Sequence, residues 1–258
     1  MLRLSMKPDK FTFATVFDTC ANLAPVGFGK QIHNHIIEAI LVVDVFLASA
    51  LVDMYAKCGN MENGLEVFEK MPEKDNVSWN AILSGYAQHG HAKDTLNMFE
   101  KMQQVDIKPN QATFIGVLSA CSHAGLLDEE HFYFNSMTED YELLPTQEHY
   151  ACMVDLVGRA GFLDKAIQIV DKMPFEADVV IWRTLLAVYR LHGNVDLGKH
   201  AAGRIIDLEP HDAAAYVLLS NIYAADGQWD DVANVEKTMK QKGVKKKLGC
   251  SWIEIKNK

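Results

Sequence analysis

The stretch NVSWNAILSGYAQHGHAKDTLNMFEKMQQVDIKPN, residues 76–110, decides the fold. Ile82, Leu83 and Tyr86 lie at helical spacing before Gly90, and Leu96, Phe99 and Met102 lie so after it. A glycine between two such runs closes the first helix in a left-handed conformation that a β-carbon disfavours. The stretch therefore reads as helix–turn–helix. Working outward, glycine returns at Gly59, Gly90, Gly125, Gly161, Gly193 and Gly227, in steps of 31, 35, 36, 32 and 34 residues. Met71, Met102, Met137 and Met173 follow the first four at a constant offset of 12. Recurrence at this period means an α-solenoid, in which each unit buries its apolar face on its neighbours. Lengths near 35 and near 31 differ by about one helical turn, which keeps that face in phase. Residues 10–44 form an earlier unit with Pro25, not glycine, at the break. Residues 1–9 match the end of another, so the chain is expected to be a fragment of a longer array, with any targeting segment upstream.

Composition excludes several function classes. The 258 residues carry five cysteines, Cys20, Cys58, Cys121, Cys152 and Cys250, far apart and without a CxxC pair. Neither a zinc ribbon nor a redox pair is indicated; these read as buried free thiols in a reducing compartment. The most apolar stretch, residues 40–52, contains Asp44 and is short of the roughly 20 residues of a membrane span. The opening MLRLSMKPDKF has no secretory apolar core. Net charge is −9, distributed as −3 over residues 1–110, −13 over 111–236 and +7 over 237–258. The acidic block argues against a phosphate-binding surface along the whole length. No catalytic set emerges, so the chain reads as non-enzymatic. His33, His35, His89 and His91 sit inside the repeat pattern and read as packing or surface positions.

Residues 76–110 closely resemble the pentatricopeptide repeat, and the alternating lengths resemble the plant PLS subclass. The resemblance implies a right-handed superhelix of repeats: 10–44 long, 45–75 short, 76–110 P-type, 111–146 long and 147–178 short. Residues 179–246 resemble the two tetratricopeptide-like units of the E region, through WRTLLAVYRLHGNVDLGKHAAGRIIDLEP and YVLLSNIYAADGQWDDVANVEKTMKQKGVKK. Residues 247–258 contain GCSWIEIK, similar to the segment that follows that region, with Leu248 where the family usually has proline. Proteins of this kind bind organellar RNA, one base per repeat, and direct cytidine-to-uridine editing in the mitochondrion or chloroplast. Many end in a cytidine deaminase domain called DYW. This sequence has neither the H-x-E nor the C-x-x-C of that zinc chemistry. The resemblance therefore implies single-stranded RNA as partner and a DYW-type deaminase supplied in trans or lost from this fragment. Accessory factors that bind long repeats are further implied partners. It implies no metal, cofactor, membrane or small-molecule substrate.

In such repeats the fifth and last residues carry base choice, and the second wedges beside the base on the same helical face. The pairs here are Ala14/Asp44, Ser49/Asp75, Asn80/Asn110, Ile115/Thr146 and Ala151/Asp178, with wedges Phe11, Phe46, Val77, Ala112 and Glu148. Ser49/Asp75 is expected to read G, because Asp75 only accepts and needs a base N–H. Asn80/Asn110 is expected to read C, then U, by the family's rule. Ile115 and Ala151 offer a base edge nothing. The same polar residues also suit helix caps and turns. Position 13 of successive repeats is Asn22, Lys57, Gln88, His123 and Arg159. Lys57 and Arg159 are candidate phosphate contacts or ordinary solvated surface. A rival expectation is a protein-binding scaffold, drawn from the acidic block and residues 179–246.

Overall fold

A computed structural model describes residues 9–23, Gln31, His33 and 44–245. The expected end of an upstream repeat before Asp9, the Pro25 break, His35, Leu248 and the segment 247–258 lie outside the described residues. Every regular element among the described residues is an α-helix. The helices are α1 (Lys10–Leu23), α2 (Val45–Lys57), α3 (Met61–Lys70), α4 (Asn76–Gln88), α5 (Ala92–Gln104), α6 (Gln111–Ala124) and α7 (Leu127–Glu139). They continue as α8 (Gln147–Arg159), α9 (Leu163–Asp171), α10 (Val179–Leu191), α11 (Val195–Leu208), α12 (Ala213–Ala225) and α13 (Trp229–Gln241). The chain divides into two compact units, Met1–Leu156 and Val157–Lys258, with the boundary inside α8.

The turn between paired helices has the same cause each time. Gly59, Gly90, Gly125, Gly161, Gly193 and Gly227 all have φ between 65° and 87°. That region costs an L-residue roughly 1–2 kcal/mol. The amide that follows each turn closes it; for example, the His91 N–H donates to the Tyr86 carbonyl over 2.9 Å.

In the first unit the core is periodic. Met71, Met102 and Met137 are buried where the 12-residue offset puts them. Beside them runs an aromatic ladder between neighbouring repeats. Phe68 meets Trp79 with centroids 4.8 Å apart, Phe99 meets Phe114 at 5.5 Å, and Phe134 meets Tyr150 at 5.4 Å, all edge-on. Edge-to-face pairs of this kind add about 0.5–1.5 kcal/mol beyond area burial. Close approach of α2 and α4 requires Gly85, where a β-carbon would lie 2.6 Å from the Ala56 β-carbon.

Histidines join the repeats. His89 Nε2 lies 2.8 Å from the Ala56 carbonyl, and His123 Nδ1 lies 3.1 Å from the Ala87 carbonyl. In the second unit, His192 Nε2 lies 2.8 Å from the Gly158 carbonyl. Each carbonyl belongs to the last turn of a helix and already accepts from the N–H of the turn glycine, Gly59, Gly90 or Gly161. The imidazole of the next repeat adds a second donor.

Among the described residues, one buried carboxyl group lacks compensation. Glu130 on α7 is fully buried, and neither carboxyl oxygen has a hydrogen-bond partner among the described residues. Burial, with the Asp155 charge nearby, pushes its pKa up to about 9, so it is protonated at neutral pH. Burial likewise pushes the Cys121 and Cys152 thiols up to about 12. These are inert thiols, since the thiolate is the reactive form.

Candidate nucleic-acid interface

The last residues of five repeats, Asp44, Asp75, Asn110, Asp178 and Asp212, are the N-caps of the next helices. Asp44 accepts from the Leu47 N–H over 3.0 Å, Asp75 from Ser78 over 2.9 Å and Asn110 from Thr113 over 3.1 Å. In the second unit Asp178 accepts from Val180 and Ile181, and Asp212 from Ala214 and Ala215. Capping selects Asp and Asn here because a short side-chain oxygen satisfies one of the orphan N–H groups of the first turn. Whatever else these residues do must use the atoms left over.

Two of the expected pairs come together. Ser49 Oγ donates to Asp75 Oδ1 over 3.2 Å, and Asn80 Nδ2 donates to Asn110 Oδ1 over 3.1 Å. Capping already uses Asp75 Oδ1, so its outward chemistry rests with the second carboxylate oxygen, an acceptor. Asn110 is the opposite case. Its Oδ1 faces the Thr113 N–H and the Asn80 amide, which fill both lone pairs. Its NH2 is left to face outward, so this pair presents donors.

The flanking wedge positions are unusually open for large apolar residues. Phe11 and Val77 are each 61% exposed and Phe46 is 48% exposed. Phe11 and Phe46 lie with ring centroids 5.6 Å apart, and the Lys10 ammonium lies 5.6 Å from the Phe11 ring. Phe46, Ser49, Asp75 and Val77, with Ala14 and Asp53, line one groove of about 520 Å³. Its polar pair sits between two apolar side chains, a geometry suited to a flat heterocycle with a hydrogen-bonding edge.

The remaining expected positions are placed as follows. Ala14 is half-buried in the groove wall, and Asp44 is ion-paired with Lys10 at 2.7 Å, which holds its carboxyl below the usual range. Ile115 and Ala151 are half-buried, and Ala112 and Glu148 are exposed. The Thr146 hydroxyl lies 2.6 Å from Glu148 and 2.8 Å from His149 Nδ1. His149 is fully buried, accepts from the Thr146 N–H and bonds the Gln111 carbonyl through Nε2 over 3.0 Å. Burial lowers its pKa, which keeps the ring neutral. The Thr146 hydroxyl is thus already engaged. At position 13, Lys57 pairs with Asp53 at 2.8 Å, while Gln88 and Arg159 are exposed. His123 is exposed and also bonds the Ala87 carbonyl of the preceding repeat.

In the second unit the fifth and last positions of residues 179–212 are Arg183 and Asp212. They make an ion triad: Arg183 Nη2 lies 2.8 Å from Asp212 and 2.7 Å from Glu209. This triad, with Ala214, Val217, Leu218 and Val244, lines a groove of about 980 Å³.

Comparison with known proteins agrees with this geometry. The pentatricopeptide repeat profile matches residues 47–76, 112–141 and 148–176, and a second profile of that repeat family matches 74–123. The E motif matches residues 192–254. Among curated relatives, pentatricopeptide repeat-containing protein At3g02330, mitochondrial, of Arabidopsis thaliana is 47% identical over all of this chain and 29% of its own length. At3g49170, chloroplastic, of the same plant is 43% identical over 96% of this chain and 29% of its own length. The chain thus spans about a third of the length of such relatives. Among solved structures, the pentatricopeptide repeat protein PPR10 from maize superposes with a TM-score of 0.63 at 20% identity, covering 92% of this chain and 35% of that one. PPR10 in complex with an 18-nt psaJ RNA element gives 0.58 at 19% identity, covering 93% and 34%. With helix pairs, profile matches and plant relatives in agreement, this chain belongs to the pentatricopeptide repeat proteins, in the group that bears the E motif.

Proposed function

We propose that this chain binds single-stranded RNA, one base per repeat, as the site-recognition part of organellar cytidine-to-uridine editing. The observation that carries this reading is the groove at Ser49–Asp75, with an acceptor set between the exposed Phe46 and Val77. RNA-bound PPR10 supports it by fold, and the E motif fits an editing role. The repeat boundaries proposed are those of the sequence, 10–44 through 147–178, followed by 179–246. Work in an organelle accords with relatives named mitochondrial and chloroplastic. The chain itself acts by binding. A DYW-type deaminase acts in trans through residues 179–258.

A net charge of −9 sets the affinity scale. A base-specific hydrogen bond contributes about 0.5–1.5 kcal/mol net, and two full pairs cannot overcome a repulsive background. Binding at physiological salt is expected to be weaker than about micromolar, roughly 8 kcal/mol. By the family's register, residues 147–178 sit on the fourth nucleotide upstream of the edited cytidine. G is then expected at the seventh and C over U at the sixth, with near indifference at the fourth and fifth. Titration of labelled RNAs varied at those positions tests this. Equal binding of all bases at the sixth and seventh positions would refute it. A second reading, a protein-binding scaffold, is favoured for residues 179–246 by the Arg183 triad, in which one guanidinium nitrogen holds two carboxylates.

A further inference from the structure

We propose that Thr113, the third residue of the repeat after 76–110, is a specificity-determining residue for the base read by Asn80 and Asn110. The inference rests on the RNA-binding reading above. Thr113 is fully buried and touches no base itself. Its hydroxyl oxygen lies 2.7 Å from Asn80 Oδ1, 3.1 Å from Asn110 Oδ1 and 3.0 Å from the Asn110 N–H. A hydroxyl has one proton to give. It accepts from the Asn110 N–H and donates along its shortest contact, to Asn80.

The consequence is a fixed amide. Asn80 is held at both ends, its oxygen by the Thr113 hydroxyl and its nitrogen by Asn110 Oδ1. The orientation of Asn110 is in turn forced, because the backbone N–H of Thr113 can only donate. One residue therefore sets both amides: its main chain orients Asn110 and its side chain orients Asn80. What remains outward is N–H from both, which matches the acceptors N3 and O2 of cytosine. Uracil presents an N–H at N3 and meets this set less well. Without the hydroxyl, Asn80 hangs on one bond, turns about its terminal torsion and offers a base either end.

The neighbouring repeat supplies an internal control. Ser78 occupies the same third position and makes the same reciprocal cap, donating to the Asp75 carbonyl and accepting from the Asp75 N–H. Ser49 bonds Asp75 directly. Asp75 is an acceptor at both oxygens whichever way it turns, so Ser78 has no amide to orient. Removing either hydroxyl weakens a cap; only removing that of Thr113 disturbs base choice.

The experiment compares the parent with Thr113→Val, Thr113→Ser and Ser78→Ala. Labelled RNAs carrying C or U at the sixth position, or G or A at the seventh, are titrated by fluorescence anisotropy at low salt. Helicity and thermal unfolding are followed by circular dichroism. Thr113→Val is expected to lower the C-over-U ratio about threefold, the scale of one net hydrogen bond, while leaving G over A unchanged. Thr113→Ser is expected to restore the ratio. Ser78→Ala is expected to destabilise to a similar degree and leave both preferences intact. A parent that prefers C, with a valine variant that keeps the full ratio, overturns the role of Thr113 and leaves RNA reading standing. Equal loss of both preferences in Thr113→Val overturns it as mere destabilisation. A parent with no preference at either position overturns the RNA reading, and the role of Thr113 with it.

Discussion

Asn80–Asn110 in the first unit and Arg183–Asp212 in the second occupy the same two positions of their repeats, yet they treat polar atoms in opposite ways. The asparagines share one hydrogen bond and leave N–H groups that the proposed reading assigns to a base. The arginine gives one nitrogen to two carboxylates, and Asp212 also caps α12. A common backbone frame thus holds the proposed reader in one place and an ion triad in another. A repeat's position predicts geometry, while the atoms left after capping decide function. Carboxyl groups sharpen the contrast, because the first unit buries Glu130 without a hydrogen-bond partner among the described residues, whereas the second holds its 11%-exposed Asp212 on Arg183.

The largest effect is expected at Glu130. The folded state holds a proton up to about pH 9, whereas the unfolded chain gives it up near the ordinary value of 4.5. Its favourable contribution is therefore complete below about pH 4.5 and is lost as pH rises towards 9. The slope is at most about 1.4 kcal/mol per pH unit. Glu130→Gln keeps shape and removes the titration. Urea unfolding of both proteins between pH 5 and 9 should give a stability difference that grows with pH in favour of glutamine. A pH-independent difference would mean that Glu130 finds a partner or water in solution.

Base order comes next. Asp75→Asn keeps size and capping but presents N–H where there was a carboxylate oxygen. The preference at the seventh nucleotide should turn from G towards A. Asn80→Ser should turn the sixth from pyrimidine towards purine by the family's rule. Discrimination of about 1–2 kcal/mol, or roughly five- to thirtyfold, is the scale of one or two such bonds. Titrations against the four bases at each position check it. An unchanged base order in both variants would remove the distinction between reader and closed triad.

The all-α repeat architecture was legible because turn glycines and buried methionines recur at fixed offsets, and φ > 0 tolerates almost nothing but glycine. Asp106 and Glu142 also adopt positive φ, in the loops after α5 and α7, and no glycine marked those turns. The expected pairs were legible as residue types, and Ser49–Asp75 and Asn80–Asn110 do meet. What a pair presents outward was not, since it depends on which lone pairs capping consumes. The roles of His89, His123 and His192 also escaped the sequence, because a lone histidine carries no sign of the carbonyl it will serve. The repeat alignment held the clue. Their acceptors lie 33, 36 and 34 residues back, one period each. Thr113 was hidden by the same logic, since its effect runs to Asn80, 33 residues away.

The smallest effect is expected at Arg183, and it bears most directly on the contrast between the two pairs. Arg183→Ala breaks two ion pairs at once. The Glu209 side chain is 44% exposed, so that partner loses little. The Asp212 side chain is only 11% exposed, and Arg183 is what holds its carboxyl below the usual range despite burial. A loss of about 1 kcal/mol is therefore expected, shrinking in high salt as screening replaces the missing guanidinium. Affinity for RNA and base order at the sixth and seventh nucleotides should stay within error of the parent, because those nucleotides are proposed to meet residues 45–110 and Arg183 is held by two carboxylates. Chemical unfolding at low and high salt, beside the same RNA titrations, measures both. A several-fold fall in RNA affinity with unchanged stability would show that Arg183 faces the ligand, and the second groove would then read RNA as the first is proposed to do.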